Sequence, residues 1–337
     1  MRSNSSVGKL ARVLLLTSLV ILPCSLTQAQ EQSAAKGTAS PSSAQKKFDT
    51  PQLASQALIQ ASDPFDANAM AEILGPEGKE IVQSADPVQD KNRAEHFAAM
   101  AHEKNSVAID PKNPSKATFI VGSSDWPFPI PLVKKSGKWL FDSKAGKQEI
   151  LYRRIGANEL DAIQVCRGFV EAQKEYASEI HDNSGVNQYA QKIISTPGKH
   201  DGLYWKNDDG SAGGPVGEAV ARAIDEGYSM KERSGFHGYY FKVLKGQGPD
   251  APLGQLDYLV EGAMIGGFAL VAVPAEYRVT GVNTFMVSYD GIVYEKDMGK
   301  DSLNIVKAMD RYNPDKTWHR TEDQWPDDEE PSVNAAN

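Results

Sequence analysis

The six histidines are the first residues to consider for chemistry, because an imidazole can act as a base, an acid or a metal ligand near neutral pH. No two of them stand three or four residues apart, so the sequence contains no zinc-binding His-Glu-x-x-His pattern. His237 is the candidate catalytic base, since it lies between Phe236 and Gly238 at a predicted strand entrance, where a ligand could approach closely. No Gly-x-Ser-x-Gly nucleophile motif accompanies it. The alternative is an imidazole that is hydrogen-bonded at the end of a sheet.

A polar loop holds the candidate metal ligands Asp201, Asp208 and Asp209. Calcium prefers several carboxylate and carbonyl oxygens, which such a loop can supply. The spacing differs from that of an EF-hand loop, and Asp-Gly clusters are also common in solvated turns. We therefore predict no metal and no cofactor, and these three aspartates are the candidates if a metal does bind.

Ligand binding could involve the aromatic strip Trp126–Pro131, in which prolines alternate with Trp126, Phe128 and Ile130 and hold the chain extended. Trp126 and Phe128 could dock a partner or could pack on their own domain as an edge segment. Arg153 and Arg154 could bind a carboxylate or a phosphate, or could pair with nearby acids.

Two other patterns are more typical of structure than of chemistry. Cys166 lies on the apolar stripe of the longest predicted helix, which favours a buried thiol over a reactive one. The segment Gly213–Gly217 enters a predicted helix and could hold an anion at its N-terminus. It lacks the lysine of a phosphate-binding loop and the spacing of a dinucleotide-binding motif.

The first 29 residues have the three parts of a secretory signal peptide. A basic stretch without acids precedes the apolar run Val13–Leu26, and small residues lead to a cleavage site after Ala29. The apolar run is shorter than the roughly 20 residues of a membrane span, although an uncleaved anchor is the alternative. A lipid anchor at Cys24 is disfavoured because Pro23 precedes it. We expect a periplasmic or secreted protein that is not integral to the membrane after cleavage.

Composition narrows the partners of the mature chain. Cleavage would remove three basic residues and change the net charge from −8 to −11. This acidity argues against nucleic acid and anionic membranes, because phosphate binding needs clustered Lys and Arg. Cys166 would be the only cysteine left, so no internal disulfide is expected. With nucleic acid and anionic membranes disfavoured, and with export expected, another protein of the cell envelope is the predicted kind of partner.

The pattern of helix and strand signals predicts an α+β fold with two subdomains. A disordered leader at 30–47 precedes a small helix-plus-sheet subdomain at 48–150, with helices starting at Thr50-Pro51, Asp66 and Asp86-Pro87. The second subdomain, 151–315, is predicted to hold the long helix Ala157–Ile180, a polar loop Lys199–Gly217, a short helix Val216–Glu226 and an antiparallel sheet. Within that sheet, Asp290-Gly291 predicts a two-residue hairpin turn. An acidic, disordered tail is predicted at 316–337.

Several sequence blocks resemble the bacterial exported family known as domain of unknown function 2950. They are Phe48–Pro51, Trp126–Pro131, Trp139–Asp142, Arg153–Leu160, Gly235–Phe241 and Gly266–Ala272. The resemblance extends from about residue 48 to 315 and implies export and an α+β fold, while the family name leaves the activity unassigned.

Two broader resemblances concern the halves of the chain. The second half is similar to the soluble part of pilin-like proteins, in which a helix packs on an antiparallel sheet. It lacks the N-terminal spine helix and the prepilin cleavage signature, so a fibre is not implied. The first half is similar to small, cone-shaped domains of the nuclear transport factor 2 kind, which says nothing of function by itself.

Two function hypotheses follow. The first is a non-enzymatic exported protein that binds or assembles with an envelope partner, because no catalytic motif is evident. The second is a periplasmic hydrolase or small-ligand-binding protein, which requires a deep pocket in the first half or near His237.

Overall fold

The structure is a computed structural model that describes residues 45–217 and 235–322. These residues belong to one compact unit that combines helices with mainly antiparallel sheets, which confirms the α+β class. The predicted signal peptide with Ala29, the leader up to residue 44 and the tail from 323 lie outside the described residues, as does 218–226 of the predicted helix Val216–Glu226. Within the described ranges, no helix combines the length and apolarity that a membrane span requires.

The helix starts follow local capping chemistry. The described α-helices are α1 Pro51–Ser62, α2 Ala67–Leu74, α3 Lys79–Val82, α4 Pro87–Glu103, α5 Ser143–Tyr176 and α6 Ser302–Ala308. Thr50 Oγ1 accepts a hydrogen bond from the Leu53 amide at 3.2 Å. Asp66 and Asp86 cap α2 and α4 in the same way. These caps confirm the three predicted helix starts, because each satisfies amides that the helix itself leaves unpaired.

The N-terminal sheet is built from five strands that are close together in the chain. They are β1 Asn105–Asp110, β2 Asn113–Val121, β3 Trp126–Pro127, β4 Leu132–Lys135 and β5 Lys138–Phe141. Their order in the sheet is β1-β2-β4-β5, with β3 paired to β2. Helices α1, α2 and α4 share a hydrophobic cluster with this sheet, including the fully buried Leu58, Phe119 and Leu132. The first half is therefore a small helix-plus-sheet unit.

Gln45 and Lys46, which lie before the predicted start of the first subdomain, make hydrogen bonds to the fold. The Gln45 amide nitrogen donates to the carbonyls of Ile73, at 3.1 Å, and Phe141, at 2.7 Å. The Lys46 amide donates to the Glu72 carbonyl at 2.9 Å. Residues 45–47, which the sequence pattern assigned to the leader, are thus attached to α2 and β5.

The C-terminal part is built on an antiparallel sheet. The strands that follow α5 are β6 Lys192–Ile194, β7 Gly202–Lys206, β8 Ala212–Gly213, β9 Tyr239–Leu244, β10 Gly246–Gln247, β11 Leu256–Asp257, β12 Leu259–Val260, β13 Ala263–Met264, β14 Ala269–Pro274, β15 Asn283–Ser288, β16 Val293–Asp297, β17 Arg311–Tyr312 and β18 His319–Arg320. The main sheet has the order β18-β16-β15-β14-β9. Every residue of β14 is buried, because α5 and α6 both pack against this strand. Pairing of β18 with β16, and the buried Trp318, extend the fold into the predicted tail.

Helix α5 has 34 residues and starts at Ser143, earlier than the predicted Ala157. The helix is about 50 Å long. It passes through residue 150, where the sequence pattern predicted the boundary between the two subdomains. Its C-terminal half packs on β14 and β15. Gly146 lies in the first turn of this helix, where a Cβ would lie only 2.6 Å from Ile130 Cγ1. The glycine is therefore required by packing against the first half.

The predicted polar loop Lys199–Gly217 contains the hairpin β7–β8 instead of irregular chain throughout. The indole of Trp205 in β7 lies against the glycines that follow. A Cβ on Gly213 would approach Trp205 Nε1 to 2.4 Å, and one on Gly214 would approach the Leu203 carbonyl oxygen to 2.4 Å. These glycines are thus explained by close packing and do not need the anion that the sequence pattern suggested.

Candidate ligand-binding site

A cavity of about 450 Å³ lies between α5 and the segments around β7, β9 and β14. One wall is a single stripe of α5 formed by Asp161, Val165, Gly168, Phe169, Ala172 and Glu175. Leu203, Phe236 and Leu270 contribute apolar surface to the other walls. Small-molecule sites are typically concave, mainly apolar and of about 300–1,000 Å³. The cavity fits this description in size and lining.

A tight turn presents His237 at this cavity. Phe236 and Tyr239 exchange both backbone hydrogen bonds at 2.9 Å, so His237 and Gly238 form a two-residue loop. Both have positive φ, 45° and 76°, as a type I′ turn requires. Histidine is among the few non-glycine residues enriched in this region of backbone space. The predicted strand entrance is therefore a hairpin turn whose tip carries the imidazole.

Asp161 of α5 holds the His237 ring. Its Oδ2 atom is within hydrogen-bonding distance of Nδ1, and half of the His237 side chain is exposed. A carboxylate at Nδ1 favours the tautomer with its proton on that nitrogen, which leaves Nε2 as a base or acceptor. The pair can therefore accept a hydrogen bond or a proton from a molecule in the cavity.

Neighbouring contacts fix α5 against the turn region. Asn158 donates its amide to the Thr280 carbonyl at 2.8 Å. Glu159 Oε1 accepts from the amides of Val282 and Asn283 at 2.8 and 3.0 Å. A Cβ on Gly238 would meet Asn158 Nδ2 at 2.7 Å. These polar contacts fix α5 to the connection between β14 and β15, and the same part of the helix meets the hairpin at Gly238 and carries Asp161.

Cys166 lies on α5 beside this stripe but does not line the cavity. It is fully buried, as predicted, and burial raises the pKa of its thiol to about 12. The thiol is thus protonated at neutral pH and packs as a small apolar group.

The aromatic strip packs on its own domain, as one of the two interpretations expected. Trp126 and Pro127 pair with β2, and the Phe128 ring contacts the rings of Phe97, Phe119 and Phe141. The Arg153 guanidinium lies 5.4 Å from the Trp126 ring centroid and donates to the Pro127 carbonyl at 2.7 Å. It also donates to Glu149 at 2.8 Å. Arg153 therefore joins α5 to the strip.

Two grooves beside the strip hold the other predicted ligand-binding residues. Phe128 and Arg154 line one of about 730 Å³, and Trp126 and Phe128 line another of about 590 Å³. Arg154 donates to the Val279 carbonyl at 3.2 Å. In the larger groove, Arg93 and Lys147 are already paired with Asp90 and Glu80 at 2.8 and 2.6 Å. The cavity at His237 is therefore the better candidate, because its polar residues are less completely engaged.

Two of the three candidate metal ligands, Asp201 and Asp209, serve local turns. Asp201 accepts from the Thr196 amide at 2.7 Å and from Lys192 at 2.8 Å. Burial opposes its ionisation, but these hydrogen bonds outweigh burial and lower the pKa of Asp201 to about 2. Asp209 accepts from the Ser211 amide and hydroxyl, which lowers its pKa, and Asp208 is exposed. Within 45–217 and 235–322, no three His, Cys, Asp or Glu residues group as a metal site would require.

Sequence reasoning singled out His237 but missed Asp161, Glu171 and Glu175. The available signal was the helical spacing of the α5 residues that line the cavity, which places them on one face. This spacing marks a face of the helix without indicating what lies opposite it.

Comparison with known proteins identifies a family but no characterised relative. A family model described as "Protein of unknown function (DUF2950)" matches residues 45–321. No curated protein and no solved structure matches the chain.

Proposed function

The chain belongs to the DUF2950 family, and we propose that it binds a small, mainly apolar molecule in the cavity beside α5. The observation that carries this proposal is the cavity itself, with apolar walls and the His237–Asp161 pair at its edge. It favours the small-ligand hypothesis over assembly, since that hypothesis required a pocket near His237.

The expected affinity follows from burial of apolar surface. A ten-carbon chain transferred from water gains roughly 8 kcal/mol at about 0.8 kcal/mol per methylene. Part of that gain offsets the loss of freedom on association. If the net gain is about 0.6 kcal/mol per non-hydrogen atom, which is within the range of small ligands, a ten-carbon alcohol binds with a dissociation constant on the order of 10 µM.

Isothermal titration of the chain from residue 30 onward with 1-decanol, below its solubility limit, tests the proposal. Binding with one site per chain and a negative heat-capacity change is expected, because the heat-capacity change reports apolar burial. A shorter alcohol, 1-hexanol, serves as the control and should bind at least about a hundredfold more weakly, because it lacks four methylenes. The proposal would be contradicted if neither 1-decanol nor any of a wider set of ten-carbon compounds showed saturable binding.

The hydrolase alternative uses the same site. His237 Nε2 would take a proton from a water molecule that attacks an ester or amide carbonyl of the bound ligand, with Asp161 orienting the ring. As the C–O or C–N bond breaks, the imidazolium would give that proton to the departing alcohol or amine, which leaves the carboxylic acid. Chromatography of a decanoate ester incubated with the protein reports turnover directly. A rate that His237→Gln abolishes, without weakening ester binding, would convert the binding proposal into a catalytic one.

We also propose that the protein acts outside the cytoplasm. Expression of the full chain in a Gram-negative host, followed by fractionation and intact-mass measurement, should give a periplasmic or secreted protein that begins at Gln30. Ala29→Asp should leave the precursor uncleaved, because signal cleavage needs a small residue there. Full-length protein in the cytoplasm would contradict the proposal. The envelope protein partner stays a prediction that cross-linking in intact cells would test.

A further inference from the structure

The charges at the cavity edge carry one more inference, which rests on the proposed binding function. Asp161, Glu171 and Glu175 all line the cavity from the same face of α5. His237 is the one basic side chain among the described lining residues, and its Nδ1 atom is already engaged by Asp161. Among the described lining residues, the charged side chains are therefore mainly acidic, while Val165, Phe169 and Leu270 are apolar.

We propose that the cavity selects a molecule with an apolar chain and a protonated amine at one end. The chain would lie against Val165, Phe169 and Leu270, and the ammonium group would lie beside Glu171 and Glu175, which are one helical turn apart. An ammonium ion donates three hydrogen bonds and matches carboxylate acceptors in charge. The acids alone would be an ordinary solvated face, but here they border a ligand-sized apolar space.

The arrangement of the two glutamates supports a cationic group. Glu171 and Glu175 are four residues apart on the helix, where like charges repel. Lys174 Nζ lies 3.4 Å from Glu171 Oε1, but both side chains are largely exposed. This ion pair therefore offsets little of the repulsion between the two glutamates. A bound ammonium group would relieve the repulsion, whereas a carboxylate would add to it.

The test compares three ten-carbon probes, decylamine, 1-decanol and decanoate, by isothermal titration at pH 7 and low salt. We expect decylamine to bind at least tenfold more tightly than decanol, and decanoate to bind most weakly. The double variant Glu171→Gln with Glu175→Gln should remove most of the preference for the amine, so that the dissociation constants of decylamine and decanol become similar. The matched control, Glu72→Gln with Glu103→Gln, changes the net charge equally on exposed positions of α2 and α4 and should preserve the preference.

The outcomes separate the two proposals. Equal binding of all three probes, tightest binding of decanoate, or a preference that survives the Glu171 and Glu175 substitutions would overturn the cationic specificity and leave the binding function standing. No binding by any probe would overturn the binding function itself. Weakening of the amine preference by high salt in the parent chain, but not in the double variant, would support the electrostatic origin.

Discussion

Replacing Gly168 by leucine is expected to weaken binding of 1-decanol by at least about a hundredfold. Gly168 lines the cavity, and a Cβ built on it meets no atom of the described residues within 4 Å, so the leucine side chain can occupy space that the ligand would use. Excluding about four methylenes of ligand from the cavity costs roughly 3 kcal/mol, which corresponds to that factor. Isothermal titration of the variant measures the loss.

The same substitution should not destabilise the fold, which makes the result interpretable. Glycine inside a helix costs about 1 kcal/mol relative to alanine, so Gly168→Leu should leave the melting temperature unchanged or raise it. Gly156→Leu is the matched control, since Gly156 also lies in α5, has open space where a Cβ would extend and does not line the cavity. If Gly168→Leu binds decanol as tightly as the parent, the ligand does not occupy this cavity.

Local features were predictable from the sequence because their causes are local. Thr50 and Asp86 each precede a proline and cap the helix that follows, so a few neighbouring residues determine the helix start. The hairpin at Asp290-Gly291 was also predicted, and β15 and β16 confirm it. Its turn type was wrong, since Val287 pairs with Val293 and only Gly291 has positive φ. The loop is longer than two residues because Asp290 accepts the Ile292 amide at 3.1 Å and forms a side-chain turn.

Features that depend on distant contacts were not predictable. The first turn of α5, which the sequence pattern placed outside the helix, includes Gly146, whose small size serves packing against Ile130. His237 and Asp161 are separated by 76 residues, so no local pattern links them. The sequence could thus nominate a histidine at a strand entrance, but only the packing of the hairpin on α5 supplies its carboxylate and its cavity.

Gln173 has a structural role that the sequence does not reveal, because its side chain pairs with the backbone of a residue distant along the chain. It falls on the apolar stripe of α5 and is fully buried. Its amide nitrogen donates to the Ala190 carbonyl and its amide oxygen accepts from the Ala190 amide, both at 2.8 Å. The side chain therefore pairs with one residue of the segment after α5 as a neighbouring strand would.

Replacing Gln173 by leucine should lower the free energy of unfolding by about 2–5 kcal/mol, although leucine is the more apolar residue. The substitution leaves the N–H and C=O groups of the fully buried Ala190 without their partners, and each unpaired buried group costs about 1–3 kcal/mol. Urea denaturation of both proteins measures the difference. Gln148→Leu, at an exposed position of α5, is the control and should change stability by less than about 0.5 kcal/mol. If Gln173→Leu were as stable as Gln148→Leu, burial of the leucine side chain would compensate for the lost hydrogen bonds to Ala190. The prediction that Gln173 stabilises the fold through this pairing would then be wrong.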